Sequence, residues 1–220
     1  MVCHDSPELG DLNQATALGV WEGMRACLNF AGISGRRVAI QGVGGVGMAL
    51  ARILHREGFE LLVADANPQR SDQARREFGA EIVPPEALLD TPCDVLAPCA
   101  LGGVITEQVV PSLRARVVCG SANNQLASPA AGDLLDRRGI VFAPDYLVNA
   151  GALIRGAEFF LDAKPDSTPS IRRIYERTLA VLQRAREERA SPARVADRMA
   201  EERLNARCKV SSLRRTYRSR

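Results

Sequence analysis

The stretch that decides the fold is RVAIQGVGGVGMALARILHREGFELLVADAN, residues 37–67. It opens with a short apolar run at 38–40, which predicts a buried strand, and this run leads directly into the glycines of 42–47. An amphipathic segment then predicts a helix, and a second apolar run ends in Asp65. Strand, glycine turn, helix, strand and acid follow in the order that a dinucleotide-binding βαβ unit requires.

Each residue type in this stretch has a physical role. Gly42 lets the chain turn tightly off the strand, Gly44 leaves room for a pyrophosphate, and Gly47 lets the helix pack close to the strand. The N–H groups at the helix start then attract the phosphates. Asp65 can accept hydrogen bonds from ribose hydroxyls and would repel a 2′-phosphate, which favours NAD over NADP, although Arg70 is close enough in sequence to leave NADP open. The alternative, a glycine turn without a ligand, is disfavoured by the flanking strands and the spaced acid.

Further apolar runs and amphipathic segments alternate along the next hundred residues, which predicts an α/β fold. We expect a Rossmann-type, doubly wound, mostly parallel sheet, followed by C-terminal helices after residue 149. The predicted strands beyond the opening unit are 81–83, 94–97, 117–119 and 140–143. The predicted helices outside that unit are 16–31, 72–78, 86–89, 106–110, 129–138, 149–163, 169–189 and 192–207.

Composition excludes several classes of protein. With 46% hydrophobic residues the chain of 220 residues can build a sizeable core, yet no stretch has the length of a membrane span and the start has no apolar signal segment. We therefore predict a cytoplasmic protein without membrane contact. The six cysteines form no CxxC pair and only two histidines are present, so buried thiols are expected and no metal site is predicted.

The excess of basic over acidic residues is confined to the C-terminal end. The formal net charge is +3, but seven basic and no acidic residues follow Glu202, so the remainder of the chain is mildly acidic. This basic tail, residues 208–220, contains Tyr217 as its only aromatic residue. We interpret it as a frayed, solvated end and predict no nucleic-acid partner.

Three polar loops follow predicted strands, at 98–103, 120–125 and 144–151. The carboxyl ends of strands in an open α/β sheet face the ligand crevice, so amides in these loops are candidate ligand contacts. Asn and Gly are also ordinary turn formers, which is the alternative for each loop alone. Three such loops on one predicted edge favour a binding function.

These residues resemble a known family. The strings TALGVWEGMRA (16–26), VAIQGVGGVG (38–47), APCALGG (97–103), GSANNQ (120–125) and APDYLVNAG (143–151) are similar to the nucleotide-binding half of the glutamate/leucine/phenylalanine/valine dehydrogenases, most of all to the leucine and phenylalanine members. The resemblance covers residues 15–205 and implies an NAD-dependent oxidative deamination of a branched-chain or aromatic L-amino acid to the 2-oxo acid.

The resemblance also implies roles for individual positions. Asp65 would bind the ribose, and Ala100 and Leu101 would line the adenosine side of the groove. Thr16 and Asn124 would orient the nicotinamide carboxamide. Asn149 would contact the substrate head group. The residues expected around the pyrophosphate are Gly42, Val43, Gly44, Gly45, Val46, Gly47 and Met48, of which Gly45 replaces an asparagine often found in the family.

The resemblance does not extend to catalytic groups. Family members use two lysines and an aspartate in an N-terminal domain, whereas the two lysines here, Lys164 and Lys209, match no such motif, and Asp145 has no lysine partner in sequence. No catalytic residue is therefore predicted. We expect residues 1–14 to be a linker or the remnant of an N-terminal catalytic domain, 15–207 to be the NAD-binding domain with C-terminal helices, and 208–220 to be the tail.

Two hypotheses follow for the activity. In the first, the chain is part of an amino-acid dehydrogenase and needs a complementing N-terminal half. In the second, it is a non-catalytic module that binds NAD or a partner. Because the groove would lack its catalytic partner, apolar surface near Leu147, Leu153, Ile154 and Phe159 is expected to be exposed and to favour a homo-oligomer.

Overall fold

A parallel sheet forms the centre of the molecule. The computed structural model describes the backbone of residues 9–218 and the side chains of residues 9–206. The strands are β1 (Arg37–Gln41), β2 (Glu60–Ala64), β3 (Glu81–Ile82), β4 (Val95–Pro98), β5 (Val117–Val118) and β6 (Val141–Phe142). They lie in the order β3-β2-β1-β4-β5-β6, and all neighbours are parallel. This is the doubly wound order of dinucleotide-binding domains, so the predicted fold class is confirmed.

Helices cover both faces of the sheet and continue beyond its last strand. None of them, within residues 9–218, is long and apolar enough to cross a bilayer. The helices are α1 (Leu12–Ala31), α2 (Gly45–Arg56), α3 (Pro68–Phe78), α4 (Pro129–Arg137), α5 (Asp145–Val148), α6 (Gly151–Asp162), α7 (Thr168–Arg172), α8 (Ile174–Glu188) and α9 (Pro192–Arg218).

The two faces of the sheet bury different side chains. Val38 and Ile40 of β1 pack on one face, in a cluster with Trp21 and Met24 of α1 and with Leu50 of α2. On the other face, Ala39 packs in a cluster whose further members include Leu62, Leu96, Val118, Leu135 and Phe142. Alternation along the strand therefore divides the core into two layers. Burial on both faces explains why the strands appear in the sequence as continuous apolar runs.

Helix α1 begins earlier than the sequence predicted. The Asp11 carboxylate accepts a hydrogen bond from the N–H of Asn13 at 2.8 Å, so Asp11 caps a helix that starts at Leu12. The predicted start at residue 16 was wrong because the apolar periodicity becomes regular only after the first turn. The predicted linker at 1–14 therefore overlaps α1 at its end, and residues 1–8 of that linker lie outside the described residues.

Several short helices also differ from the predictions. Segments 86–89 and 106–110 were predicted as helical, but the structure places short 3-10 turns at Leu88–Asp90 and Val110–Ser112. Thr106 still accepts a hydrogen bond from the N–H of Val109, at 3.1 Å, as a capping residue would. The predicted helix 169–189 is divided at Arg173. Helix α9 continues through the predicted boundary at 207/208 to Arg218, so the division into domain and tail stays a prediction.

An ion pair fastens α9 to α4 and makes stability depend on pH. Arg194 donates to both Asp133 oxygens, from Nε to Oδ1 at 2.8 Å and from Nη2 to Oδ2 at 2.6 Å, and the Ser191 hydroxyl adds a third bond at 2.8 Å. The bonds from Arg194 and Ser191 lower the pKa of Asp133 from 3.8 to about 2. Because the folded state favours the ionised form of Asp133, this carboxylate stabilises the fold above about pH 4. The contribution is lost as the pH falls toward 2 and the carboxylate takes up a proton.

We expect Asp133→Asn to remove this acid-sensitive contribution. The variant should be less stable than the parent by about 1 kcal/mol near neutral pH, a modest value because Arg194 is half exposed to solvent. The difference should vanish near pH 2, as measured by urea unfolding at a series of pH values. Glu158, whose pKa is also lowered to about 2, is present in both proteins, so the difference isolates Asp133. A difference that is constant from pH 2 to pH 7 would contradict this assignment.

Candidate functional site

The glycine turn between β1 and α2 is a close backbone junction. Gly42 has a φ of +90° and its N–H donates to the carbonyl of Ala64 at 2.7 Å, which joins the turn to the end of β2. A Cβ on Gly47 would lie 2.0 Å from the carbonyl oxygen of Gly42, so α2 approaches the turn as closely as glycine allows. Gly44 precedes α2 and provides no side-chain cap. The first N–H groups of α2 therefore remain available to an anion.

The Asp65 carboxylate holds this turn in place. Its Oδ2 accepts from the N–H of Val43 at 2.9 Å, and its Oδ1 accepts from the N–H of Asn67 at 2.8 Å. The sequence predicted a ribose contact for Asp65 but not this second role. A carboxylate has about four lone-pair positions, so two backbone bonds leave acceptor capacity for ribose hydroxyls. The acid at the end of β2 is thus brought directly beside the glycine turn.

Two polar side chains reach the turn from other elements. Arg70 of α3 places its Nη1 3.7 Å from the position that a Cβ on Gly44 would occupy. Asn13 of α1 places its Oδ1 2.9 Å from the corresponding position on Gly45. Arg70 was expected near the cofactor from the sequence. Asn13 was not expected there, because Asn13 lies in the segment predicted as a linker. An asparagine amide from α1 therefore lies beside Gly45.

The loop after β4 packs against the glycine turn. A Cβ on Gly42 would lie 2.6 Å from the Cβ of Ala100, so the two loops are in contact. Leu101 is 76% exposed at the tip of the loop. On its other side, a Cβ on Gly102 would lie 2.3 Å from the carbonyl oxygen of Asn123. This loop thus bridges the predicted pyrophosphate residues and the loop that follows β5.

The loops after β5 and β6 are joined by hydrogen bonds. Asn124 has a φ of 52°, and its N–H donates to Asp145 Oδ2 at 2.7 Å. The side-chain amide of Asn149 donates to Asn123 Oδ1 at 2.7 Å and to the Ser121 carbonyl at 3.2 Å. The exposed Asn123 and the carboxylate of Asp145 are therefore part of the same network. The two loops present amides and a carboxylate at the carboxyl edge of the sheet.

A buried glutamine supports the loop after β5. Gln125 is fully buried, and its Nε2 donates to the carbonyls of Gly120 and Ala122 at 2.8 and 3.1 Å. Its Oε1 accepts no hydrogen bond from any residue that the structure describes. The two carbonyl contacts fix the path of the backbone that leads to Asn123 and Asn124. Gln125 is the last residue of the string GSANNQ, and the sequence alone predicted no role for it. Only the tertiary structure shows that its side chain points inward.

Thr16 lies at the crossing of α1 and α6. It is 9% exposed, and its hydroxyl donates to the carbonyl of Leu12 at 3.0 Å. A Cβ on Gly151 would lie 1.9 Å from the carbonyl oxygen of Ala15 and 3.0 Å from the Cα of Thr16. The structure therefore brings Thr16 beside the chain segment that carries Asn149. Its predicted contact with the nicotinamide carboxamide stays a prediction.

Two side chains at this edge, Tyr146 and Cys99, have pKa values raised above their usual ranges. Burial and the hydrogen bond to Asp197 raise the pKa of Tyr146, and burial raises the pKa of the Cys99 thiol. The hydrogen bond to Glu158 raises the pKa of Lys164, which lies between α6 and α7. Among the described side chains, no three of His, Cys, Asp or Glu are grouped as metal ligands. The loops at this edge present backbone N–H groups, side-chain amides and carboxylates, which are groups that can contact a polar ligand.

An apolar stripe is exposed on α6. Leu153, Phe160 and Leu161 are 75%, 56% and 81% exposed. Leu147, Ile154 and Phe159 are half-buried, so of the four residues expected at the surface only Leu153 is fully presented. Self-association through this face stays a prediction.

The chain is similar to amino-acid dehydrogenases. Residues 60–158 match the family model described as Glutamate/Leucine/Phenylalanine/Valine dehydrogenase. A leucine dehydrogenase from Thermoactinomyces intermedius is 41% identical over 208 residues, covering 92% of this chain and 57% of that protein. The chain therefore spans little more than half the length of this curated relative.

Solved structures show the same similarity. The crystal structure of L-tryptophan dehydrogenase from Nostoc punctiforme aligns with a TM-score of 0.83 at 35% identity, over 88% of this chain and 61% of that chain. A hetero-hexameric glutamate dehydrogenase from Thermus thermophilus, in its Leu bound form, aligns with a TM-score of 0.72 at 25% identity, over 88% of this chain and 52% of that one.

Proposed function

Because the chain belongs to the glutamate/leucine/phenylalanine/valine dehydrogenase family, we propose that it is the NAD-binding portion of an amino-acid dehydrogenase. The reaction is the oxidative deamination of a branched-chain or aromatic L-amino acid, with hydride passing to NAD. The observation that carries the proposal is the glycine turn at 42–47. This turn packs closely against the start of α2, and the N–H of Val43 within it donates to the Asp65 carboxylate. This arrangement leaves N–H groups for a pyrophosphate and a carboxylate for a ribose.

The residues present fit NAD. Bound there, the nicotinamide would accept the hydride from the amino acid. Residues 42–48 hold the pyrophosphate in this proposal, with Arg70 and Asn13 beside them, and Asp65 binds the ribose. Ala100 and Leu101 cover the adenosine side. The remaining proposed contacts are Thr16 and Asn124 to the carboxamide and Asn149 to the substrate head group.

The chemistry needs more than a coenzyme site. Water must add to the imine formed from the amino acid, which requires a positioned base. Lys164 is held protonated by Glu158, and the side chain of Lys209 lies outside the described residues. In this proposal a complementing N-terminal half supplies the catalytic lysines. The alternative, a module that binds NAD without chemistry, is favoured by the protonated state of Lys164.

Titration with NADH tests the binding proposal. We expect saturable enhancement of NADH fluorescence, with weaker binding of NADPH because Asp65 repels a 2′-phosphate. No heat with either oxidised or reduced coenzyme in calorimetry of folded protein would refute the proposal.

Incubation with NAD and leucine, phenylalanine or valine should yield no NADH from this polypeptide alone, and turnover would contradict the need for a complementing half. Activity restored by an added N-terminal half of a leucine dehydrogenase would select the enzyme over the non-catalytic module.

A further inference from the structure

A cavity lies on the side of the sheet where the amino ends of β5 and β6 are found. Its volume is about 660 Å³, and the segments that line it are 30–33, 113–116 and 138–141, together with Arg186 of α8. Residues 113–116 precede β5 and residues 138–141 lead into β6, so the cavity lies at the amino ends of these strands. The proposed NAD site lies at the carboxyl ends. Since all strands are parallel, the two sites lie at opposite ends of the strands and share no residue.

The charges around this cavity have one sign. Among the side chains that the structure describes, no carboxylate lines it, whereas four arginines do: Arg114, Arg116, Arg138 and Arg186. The remaining lining residues are glycine or apolar, among them Phe30 and Ile140. Such a lining is unusual in a chain whose basic and acidic residues are nearly balanced, 29 against 26.

Two of these arginines are held in place by the fold. Arg138 donates through Nη1 to the carbonyls of Val110 and Leu113, the latter at 3.0 Å. Arg186 donates through Nη2 to the carbonyl of Phe30 at 3.3 Å and lies over the Phe30 ring, 3.9 Å from its centroid. Each guanidinium has five N–H donors, so both retain donors after these contacts. They are ordered before any ligand arrives, which lowers the entropic cost of binding.

The other two arginines, Arg114 and Arg116, are exposed to solvent. Within the described residues, the side chains of Arg114 and Arg116 make no hydrogen bond and no ion pair. The carbonyl ends of α4 and α8 offset part of the repulsion around Arg138 and Arg186, whereas Arg114 and Arg116 lie outside these helices. An anion with several charged oxygens would satisfy these donors at once, and guanidinium groups match phosphate in geometry.

We propose that this cavity binds a small molecule carrying two or more phosphate groups. Its volume lies within the range of small-molecule sites, about 300–1,000 Å³. The arginines supply the phosphate contacts, and Phe30 and Ile140 supply apolar wall for the rest of the ligand. The site is independent of the proposed NAD groove, because the two lie at opposite ends of the strands.

Calorimetry with sodium tripolyphosphate tests the proposal, with inorganic phosphate as the second probe. The wild-type chain should bind tripolyphosphate at least about tenfold more tightly than phosphate, because the longer anion reaches more than one guanidinium. The double variant Arg114→Ala/Arg116→Ala should weaken tripolyphosphate binding at least about tenfold. Arg116→Glu, a single exposed substitution, should abolish it. NADH titration should be unchanged in both variants, which shows that they are folded and that the NAD groove is intact.

The matched control removes an adjacent exposed pair elsewhere. Arg172 and Arg173 lie at the end of α7, away from the cavity, and Arg172→Ala/Arg173→Ala lowers the net charge equally. The control should bind tripolyphosphate as the parent does. Equal losses in the two double variants, or no loss in either, would overturn the proposal. Binding of a DNA duplex through Arg114 and Arg116 that tripolyphosphate does not displace would also overturn it, because the site would then recognise nucleic acid.

Discussion

Gly47→Ala should reduce NADH binding at least about a hundredfold. The added Cβ would lie 2.0 Å from the carbonyl oxygen of Gly42, far inside van der Waals contact, and this oxygen belongs to the backbone, so it cannot move aside as a flexible side chain could. Either α2 must move away from β1 or the turn must open, and either movement displaces the N–H groups proposed to hold the pyrophosphate. Overpacking of this kind also costs stability, typically about 1–3 kcal/mol.

Gly156→Ala is the matched control for this substitution. A Cβ on Gly156 would have no atom within 4 Å, and the residue lies inside α6, where alanine is favoured over glycine by about 0.5–1 kcal/mol. The control should therefore bind NADH normally and unfold at equal or higher urea concentration. The variants are compared by NADH fluorescence and by urea unfolding. Binding by Gly47→Ala within twofold of the parent would show that the junction of turn and helix does not form the cofactor site.

Asp65→Ala should have the second largest effect, about thirtyfold or more on NADH affinity. The substitution removes the acceptor of the Val43 and Asn67 N–H groups and the carboxylate proposed to bind the ribose. Hydrogen bonds to charged groups contribute about 1.5–3 kcal/mol each, so both the turn and the cofactor lose a contact of that size. NADPH should lose less than NADH, because the repulsion of its 2′-phosphate disappears while Arg70 remains beside Gly44.

The ratio of NADH to NADPH affinity measures this effect, and Asp72→Ala serves as the control. Asp72 forms an exposed ion pair with Arg75 on α3, a type of pair that contributes about 0–1 kcal/mol. Its removal should leave both affinities unchanged. An unchanged affinity ratio in Asp65→Ala would mean that the carboxylate serves the turn alone and does not contact the ribose.

The opening βαβ unit could be predicted because its signals are local. Apolar runs gave β1 and β2, and the spacing of Gly42, Gly44 and Gly47 gave the turn that the structure contains. The helix bounds were less accurate. The start of α1 depends on a cap at Asp11 rather than on apolar periodicity, and the break at Arg173 leaves no mark in the hydrophobic pattern of 169–189.

The candidate site could be predicted only as a set of separate loops. Asp65 was expected near a ribose, and its bond to Val43 appears only when β1 and β2 lie side by side. The pairing of Asn149 with Asn123, and of Asn124 with Asp145, joins loops that are 21 or more residues apart in the chain. Asn13 was assigned to a linker, because no local pattern indicates that α1 delivers it to Gly45.

The amino-acid order by itself determined the α/β class, the parallel strands, the glycine turn and the family resemblance, because each depends on residues a few positions apart. Tertiary structure alone decided which polar groups share a surface. It placed Asp65 and Asn13 at the glycine turn, and it gathered Arg114, Arg116, Arg138 and Arg186 from three segments around one cavity. The physical reason is that a parallel sheet collects the ends of strands distant in sequence at common edges, and such proximity is a property of the packed chain.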